Sequence, residues 1–281
     1  MTCDCIESII QHTVAVQYEI IVVDNASPND DPDEFLSRFP NIRLVKSTEN
    51  GGFAKGNNLG ISHATGNIIL LLNSDTYLAE DSVSKAALCL SAHADMGALS
   101  VRLTYTDGRL QHTARKFRTI RNELLDLARP VLKLMPYKQR SELMLNQYFN
   151  GDYNTYADWV SGAFMMFRKE IMEKLPGHKL DERFFMYGED QLWCYQFAEL
   201  GYRNYYLADT TVIHIHNGST DPAKQLKLVK QFLGQEMKIM EYRKHGKTLY
   251  YHIFGAIYMT KELARYYIKV IVLKVSGHRI R

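Results

Sequence analysis

Asn73, Ser74 and Asp75 follow directly on an unbroken apolar run, Ile68 to Leu72. Five consecutive apolar residues are too few for a typical helix, and their lack of alternation fits a strand buried on both faces of a parallel sheet. Ligands of open α/β sheets bind in the crevice outside the carboxyl ends of such strands. A carboxylate there, beside an amide and a hydroxyl, suits a hard divalent cation carrying a substrate phosphate. Such ions take oxygen ligands and keep positions open for phosphate and water. The plainer alternative is a polar turn that caps the next helix, where Asp and Ser are common.

Two further groups have the composition for chemistry. Glu189 and Asp190 open a segment, 189–201, with Trp193, Phe197 and Leu200 at core spacing and a glycine at its end. The positive end of a helix dipole is expected to hold both carboxylates ionised, and an ionised carboxylate near a metal is a suitable base for a hydroxyl nucleophile. Helix capping alone is the competing explanation. His214 and His216 alternate in TTVIHIH, so both belong to one strand face, and the polar Asn217-Gly218-Ser219-Thr220 puts them at a strand end. Both could ligate a metal, or one could do so while the other lines the pocket.

The elements that must position these groups alternate along the chain. CIESIIQHT (4–12) reads as a short helix, and YEIIVVDNAS (18–27) as a strand ending in Asp24 and Asn25. DPDEFLSRF opens with acids and a proline suited to a first helical turn, and IRLVKS (42–47) is the next strand. In ENGGFAKGNNLGISHATG, Gly51-Gly52 marks a turn, with Phe53, Leu59 and Ile61 pinning a helix behind it. After the 68–72 strand come a helix near 80–93, a strand at 96–103 and a hairpin turn at Asp107-Gly108. A helix over 121–145 and a strand at 158–168, interrupted at Ser161-Gly162, precede the 189–201 helix. YRNYYL and TTVIHIH then read as two short strands, and 222–275 as two helices broken near His245-Gly246. Such β-α-β alternation argues for an α/β fold with a mostly parallel sheet covered by helices.

Composition bounds the function. At 281 residues and 46% hydrophobic content, the chain can bury a core in one large or two modest domains. No stretch of eighteen uncharged apolar residues and no signal-peptide pattern is found. The scattered Cys3, Cys5, Cys89 and Cys194 fit reduced thiols in a cytoplasmic protein. The net charge of +3 hides an asymmetry: residues 221–281 hold nine Lys and four Arg against one Asp and three Glu, or +9, which leaves −6 for the rest. A basic C-terminal region points to an anionic contact, a membrane surface or nucleic acid. Within it, YYHIFGAIYMTKELARYYIKVIVLKV interrupts apolar and aromatic residues with Lys261, Arg265, Lys269 and Lys274. Such a segment can lie in a membrane interface with its lysines reaching head groups, or pack as an ordinary helix. Nucleic acid is disfavoured, because the aromatics fall within apolar runs.

Several chemistries are excluded by their missing motifs. No G-x-G-x-x-G follows a strand, no G-x-x-x-x-G-K-[ST] occurs, and no G-x-S-x-G elbow is present. A nucleotidyltransferase would need a glycine- and Lys/Arg-rich phosphate loop near the N-terminus, and none is found.

EIIVVDNAS, ENGGFAKGNNLGI, ILLLNSDT, DWVSGAFMMFRKEI, DERFFMYGEDQLW, AELGYRNYYL and VIHIHNGST occur in this order across about residues 4–220. Together they resemble family 2 glycosyltransferases of the GT-A fold, most of all the rhamnosyltransferase-type enzymes of bacterial polysaccharide assembly. The resemblance implies a GT-A domain over 1–220 and a basic helical region over 221–281. It implies an inverting transfer of rhamnose or a related hexose from a nucleotide-diphosphate sugar, dTDP-, UDP- or GDP-linked, to a glycan or lipid-linked hydroxyl. A metal-dependent, peripheral enzyme at the inner face of the cell membrane would result. Asp24 and Asn25 match the grip on base and ribose, completed by Gly52, Phe53, Asn57 and Asn58, with Asn73 beside them. Asp75 matches the last carboxylate of the D-x-D site for Mg²⁺ or Mn²⁺, where Asn73 departs from the first. His214, ahead of His216, matches the histidine at the metal or diphosphate. Asp190 matches the catalytic base with Glu189 its neighbour, and Trp159, Ser161 and Gly162 match the loop beneath the acceptor. Family members begin with an apolar strand ahead of the helix that CIESIIQHT resembles. The sequence is therefore expected to lack that strand, as from a truncated or mis-started frame, and to be poorly stable. A non-catalytic remnant that still binds sugar nucleotide is the rival reading.

Overall fold

The computed structural model describes residues 1–28, 31–215, 222–244 and 246–275. The chain divides into two units, Met1–Lys116 with Met144–His216, and Phe117–Leu143 with Asn217–Arg281. In chain order the strands are β1 (Ile21–Asp24), β2 (Arg43–Lys46), β3 (Ile68–Leu72), β4 (Thr76–Leu78), β5 (Met96–Thr104), β6 (Leu110–Gln111), β7 (Ala114–Arg115), β8 (Thr155–Ala157), β9 (Trp159–Val160), β10 (Phe164–Arg168) and β11 (Arg203–His214). The helices are α1 (Thr2–His12), α2 (Glu34–Arg38), α3 (Gly52–Ser62), α4 (Ser82–Ala92), α5 (Ile120–Leu127), α6 (Arg129–Leu132), α7 (Tyr137–Leu143), α8 (Leu145–Tyr148), α9 (Glu170–Glu173), α10 (Glu189–Glu199), α11 (Pro222–Arg243) and α12 (Leu249–Val275).

The first unit is built on a sheet of order β3-β10-β5-β11-β4, with β6 on β5 and β8 on β11. β3, β5 and β11 run in one direction, and β10, β4, β6 and β8 run against them. The sheet is mixed, where the sequence pointed to a mostly parallel one, since a continuous apolar run reports burial and is silent about direction. Period-2 alternation in β10 assigns each face its helix. Phe164 and Met166 pack with Val83, Ala86 and Leu90 of α4, whereas Met165 and Phe167 pack with Trp193 and Phe197 of α10. Side chains this large contribute roughly 1.5–3 kcal/mol each on full burial, which fixes α10 against the sheet and so fixes the residues at its start. Leu200, expected in the core, is 39% exposed just beyond the helix.

YRNYYL and TTVIHIH form one twelve-residue strand, not two. The polar Asp209-Thr210 pair that reads as a break lies where the register against β5 shifts, between Leu207 and Thr211. The C-terminal ends of β3, β5 and β11 consequently gather at one sheet end, where β10 begins.

β1 pairs with β2 in parallel, separately from the main sheet. Among the described residues, β1 pairs on its β2 side and β3 on its β10 side. Both open edges border one cavity of about 1170 Å³, lined by Ile21 and Val23, by Ile69 and Leu71, and by Ile6 and Ile9 of α1. α1 is held across β4, where the Leu78 N–H donates to Ser8 Oγ (3.1 Å) and Cys5 Sγ meets Thr76 Oγ1 (3.4 Å).

In the second unit, the helix expected over 121–145 is broken into short helices. Pro130 begins a new helix at α6 and Pro136 precedes α7, because proline ends the hydrogen-bond ladder of a preceding helix. α5 packs on α12 through a buried charge cluster. Lys261 of α12 is 4% exposed and pairs with Glu123 and with Asp126 (2.6 Å), and Arg265 reaches Asp126 at 2.7 Å. Burial alone would raise the Asp126 carboxyl, but hydrogen bonds from Arg265, Arg129 and Lys261 hold it well below the carboxylate range. Lys261 therefore faces inward, which favours the ordinary packed helix over the alternative in which this lysine reaches lipid head groups. The side chains of Lys269 and Lys274 lie outside the described residues. Lys261→Ala should cost about 3 kcal/mol, since it removes the cation shared by two buried carboxylates and leaves Glu123 to Arg118 and Asp126 to Arg129 and Arg265. Urea unfolding followed by circular dichroism measures this as a drop in midpoint.

Candidate active site

The gathered strand ends carry the residues singled out in the sequence. Asn73 continues β3, and its N–H donates to the Ala163 carbonyl (3.0 Å) at the start of β10. Gly162, one residue earlier, donates its N–H to Asp190 Oδ2 (3.1 Å). The 73–75 turn and the start of α10 therefore flank the same short turn, 161–163. Ser161 braces that turn through Ser161 N–H to Thr113 O (3.1 Å) and Ala163 N–H to Ser161 Oγ (3.3 Å). Gly162 is closely packed: a Cβ would lie 3.3 Å from Phe53 Cε1 and 3.4 Å from Asp190 Cβ.

At the 73–75 turn, Asp75 Oδ1 is 3.2 Å from His214 Nε2, and Asn73 Nδ2 is also 3.2 Å from that nitrogen. Backbone pairing of His214 with Thr76, and an Ile215 N–H to Asp75 O bond (2.9 Å), set this approach. Gln111 settles the imidazole tautomer. Its Nε2 donates to the His214 carbonyl (2.6 Å), which can only accept, so Oε1 faces Nδ1 (2.7 Å) and Nδ1 must donate. Nε2 then faces the Asn73 amide nitrogen and the Asp75 carboxylate, each at 3.2 Å. An imidazole nitrogen and a carboxylate oxygen are both ligand atoms that a divalent ion accepts, so Asp75 and His214 fit such an ion as two of its ligands. Asn73, at the position where a first carboxylate was expected to be replaced, orients the histidine. No cluster of three or more His, Cys, Asp or Glu suited to a metal occurs among the described residues. His216 lies outside them.

α10 supplies the second chemical group. The sequence expectation held Glu189 and Asp190 ionised by the helix dipole, but at Glu189 burial overrides it. The Glu189 carboxyl is pushed up to about 8, by burial first and then by the negative charge of Asp190. Burial also raises Asp190. The two differ in hydrogen bonding: Asp190 accepts from the N–H groups of Gly162 (3.1 Å) and Gln191 (2.8 Å), whereas Glu189 Oε2 is buried without a hydrogen-bond partner. Donors stabilise the anion, so Glu189 retains the proton and Asp190 carries the charge, aided by the nearby Arg115. Arg115 lies over the Trp159 ring, 5.0 Å from its centroid, which ties the expected acceptor-side tryptophan to this carboxylate.

A carboxyl whose folded pKa exceeds the ordinary 4.5 holds a proton that unfolding releases. Its contribution is fully present below about 4.5 and is lost as pH climbs through about 8. Stability should therefore fall by up to about 1.4 kcal/mol per pH unit in that window. Glu189→Gln should flatten the slope, as read by melting temperature against pH.

The remaining residues are distributed around this end of the sheet. Asp24 Oδ1 accepts from the Ser27 N–H (3.0 Å) at the end of β1. Asn25 spends its amide on the glycine turn, with Nδ2 to Asn50 Oδ1 and Gly52 O, and Oδ1 from the Gly51 N–H, each 3.1 Å. Gly52 has φ 82°, and a Cβ there would lie 2.3 Å from the Phe185 carbonyl, so only glycine fits. Phe53 stacks on Trp193 (6.0 Å between centroids) and donates its N–H to the Phe185 carbonyl (2.9 Å). Asn57 Nδ2 bonds back to Phe53 O (2.9 Å). Asn58 reaches away, joining Leu180 and Glu182 through bonds of 2.8–3.0 Å. Asn25 and Asn58 thus hold loops with the amides that the sequence expectation assigned to nucleotide.

Gln111 and Phe185 were not legible as site residues. The Asp107-Gly108 hairpin was the available signal for Gln111, since it folds β6 onto the end of β5, whose Thr104 pairs with Ile213.

A family model described as Glycosyl transferase family 2 matches residues 2–175. The chain is 24% identical over 218 residues to the O-antigen biosynthesis protein RfbC of Myxococcus xanthus, covering 76% of this chain and 16% of that protein. It is 23% identical over 224 residues to an N-acetylglucosaminyl-diphospho-decaprenol L-rhamnosyltransferase of Mycobacterium tuberculosis, covering 74% of this chain and 70% of that one. Its fold is similar to that of a mannosyltransferase from Pyrobaculum calidifontis in complex with GDP-Man and Mn²⁺, with a TM-score of 0.56 at 17% identity, covering 91% of this chain and 63% of that one.

Proposed function

The chain belongs to glycosyl transferase family 2, and we propose that it transfers a sugar from a nucleotide-diphosphate donor to a hydroxyl acceptor with inversion. One observation carries the reading: the Asp75–His214 pair and the Asp190 carboxylate flank the single turn 161–163 at the end of three co-directional strands. That arrangement suits a donor whose diphosphate meets the first group and whose anomeric carbon faces the second.

Asp75 and His214 would hold Mg²⁺ or Mn²⁺, as the Mn²⁺ bound in the similar mannosyltransferase encourages. A divalent ion, when bound, supplies positive charge against the charge that grows on a departing diphosphate. Asp190 accepts the acceptor's hydroxyl proton at a carboxylate oxygen while the hydroxyl oxygen attacks the anomeric carbon and the bond from that carbon to the nucleoside diphosphate breaks. Glu189, protonated beneath it, leaves the charge on Asp190. Arg115 and Trp159 border the acceptor side, with Ser161 and Gly162 shaping the turn below. Asp24, Gly52, Phe53, Asn57 and Asn73 line or frame the nucleotide side, with Asn25 and Asn58 fixing the loops. Burial around Phe53 and Trp193 excludes water from that wall.

The rhamnosyltransferase relative's name favours rhamnose or a related hexose and a glycan or lipid-linked acceptor, and the O-antigen biosynthesis relative's name favours a role in cell-surface polysaccharide assembly. No helix among the described residues is long and apolar enough to cross a membrane; a peripheral place on the inner membrane face is the reading proposed. A panel of dTDP-, UDP- and GDP-sugars with Mn²⁺, read by thermal protection and by donor hydrolysis, tests it. One donor should both protect and turn over. Protection without any turnover would favour the rival, a non-catalytic sugar-nucleotide-binding or scaffold protein. Neither protection nor turnover by any donor would defeat both.

A further inference from the structure

Charge is segregated between the two units more sharply than along the sequence. The second unit, residues 117–143 and 217–281, contains nineteen Lys and Arg against seven Asp and Glu, a net +12. The rest of the chain, with fifteen against twenty-four, is −9. Within the second unit, α5 and α6 sort their residues by character. Both acids between residues 120 and 140, Glu123 and Asp126, are buried and paired with Lys261. The exposed charges of that stretch, Arg121, Lys133 and Lys138, are all basic.

An apolar row accompanies them. Leu124 and Leu127 of α5, Val131 of α6 and Leu134 just beyond it are 52%, 56%, 65% and 86% exposed. Single exposed apolar residues are ordinary, but four so close along the chain, among exposed charges that are all basic, are not. We propose that the α5–α6 face docks on an anionic lipid surface, its leucines entering the acyl boundary and its Arg and Lys meeting head-group phosphates. Anionic lipid fits both halves of the face at once: basic groups gain from the negative surface potential, and apolar side chains gain from the interface. A nucleic acid would use the charge and leave the leucines in water. The inference deepens the peripheral-membrane part of the proposed function and is independent of the transfer chemistry. It also moves the contact from α12, whose Lys261 is buried, to α5 and α6.

Flotation of the full chain with vesicles tests it, using phosphatidylglycerol and phosphatidylcholine in equal parts against phosphatidylcholine alone. The parent should float with the anionic vesicles, and less so at high salt. Replacing the four apolar residues by Ser (Leu124→Ser, Leu127→Ser, Val131→Ser, Leu134→Ser) should weaken binding about a hundredfold or more, from the transfer free energy of the lost side chains. Arg121→Glu with Lys133→Glu and Lys138→Glu should abolish the preference for anionic lipid. All seven positions point away from the unit's core or lie at its surface, so circular dichroism and donor-induced thermal protection should match the parent. Parent flotation that survives the four serines undiminished would overturn this face while sparing the membrane reading. A parent that does not float overturns both, with donor hydrolysis still reporting on transfer separately. Retention of a single-stranded oligonucleotide that charge reversal abolishes and the serines leave intact would also overturn it, in favour of nucleic acid.

Discussion

Asp190→Asn should lower turnover about 10²–10⁴-fold while leaving nucleotide binding close to the parent's. The substitution is nearly isosteric, and an amide oxygen can still accept from the Gly162 N–H that now meets Asp190 Oδ2 at 3.1 Å. What disappears is the only basic function that the start of α10 offers, since Glu189 is held protonated by burial and by its neighbour's charge. Steady-state kinetics paired with calorimetric titration of the nucleoside diphosphate separate the two effects. Turnover that survives the change would remove Asp190 from the role of base.

Asp75→Ala should cost a further large factor, about 10²–10³ in turnover, and should abolish any response to added Mn²⁺. The neighbouring His214 keeps its orientation through Gln111, so the variant isolates the loss of one oxygen ligand from a general collapse of the site. Gln111→Leu probes the same pair from behind. It removes the acceptor at Nδ1 and should weaken Mn²⁺ affinity about 10–100-fold. Chelation of the parent with EDTA should reproduce the Asp75→Ala phenotype. A parent indifferent to chelation, together with an active Asp75→Ala, would reassign Asp75 to capping the turn.

The sequence made the site legible where local chemistry was unambiguous. Ile68–Leu72 read as a strand with the polar Asn73-Ser74-Asp75 at its carboxyl end, as observed, but only Ile69 and Leu71 are buried and the strand pairs antiparallel with β10, against the expected burial on both faces of a parallel sheet. The glycine turn was also legible, because Gly52 occupies a left-handed backbone that only glycine accommodates without strain. Strand direction was not, since β10 looks alike whether parallel or antiparallel to β3. The protonation of Glu189 was missed for a different reason. A dipole at a helix start can be inferred from order along the chain, whereas burial beneath a packed sheet depends on residues far away. The same applies to Lys261, which reads as an interfacial lysine until Glu123 and Asp126, more than a hundred residues earlier, come to meet it. Asn25 and Asn58 show the converse limit: their positions match a pocket, yet their amides are taken up by loop backbone and side chains.

A crystal structure of the full chain with Mn²⁺ and a nucleoside diphosphate, with the ion located by its anomalous scattering, bears most directly on the shared donor site. The ion should appear between Asp75 and His214 with the diphosphate against it, the terminal phosphate turned toward Asp190 and the base toward Asp24. Density for the ion or nucleotide elsewhere, or a terminal phosphate turned away from Asp190, would contradict the account.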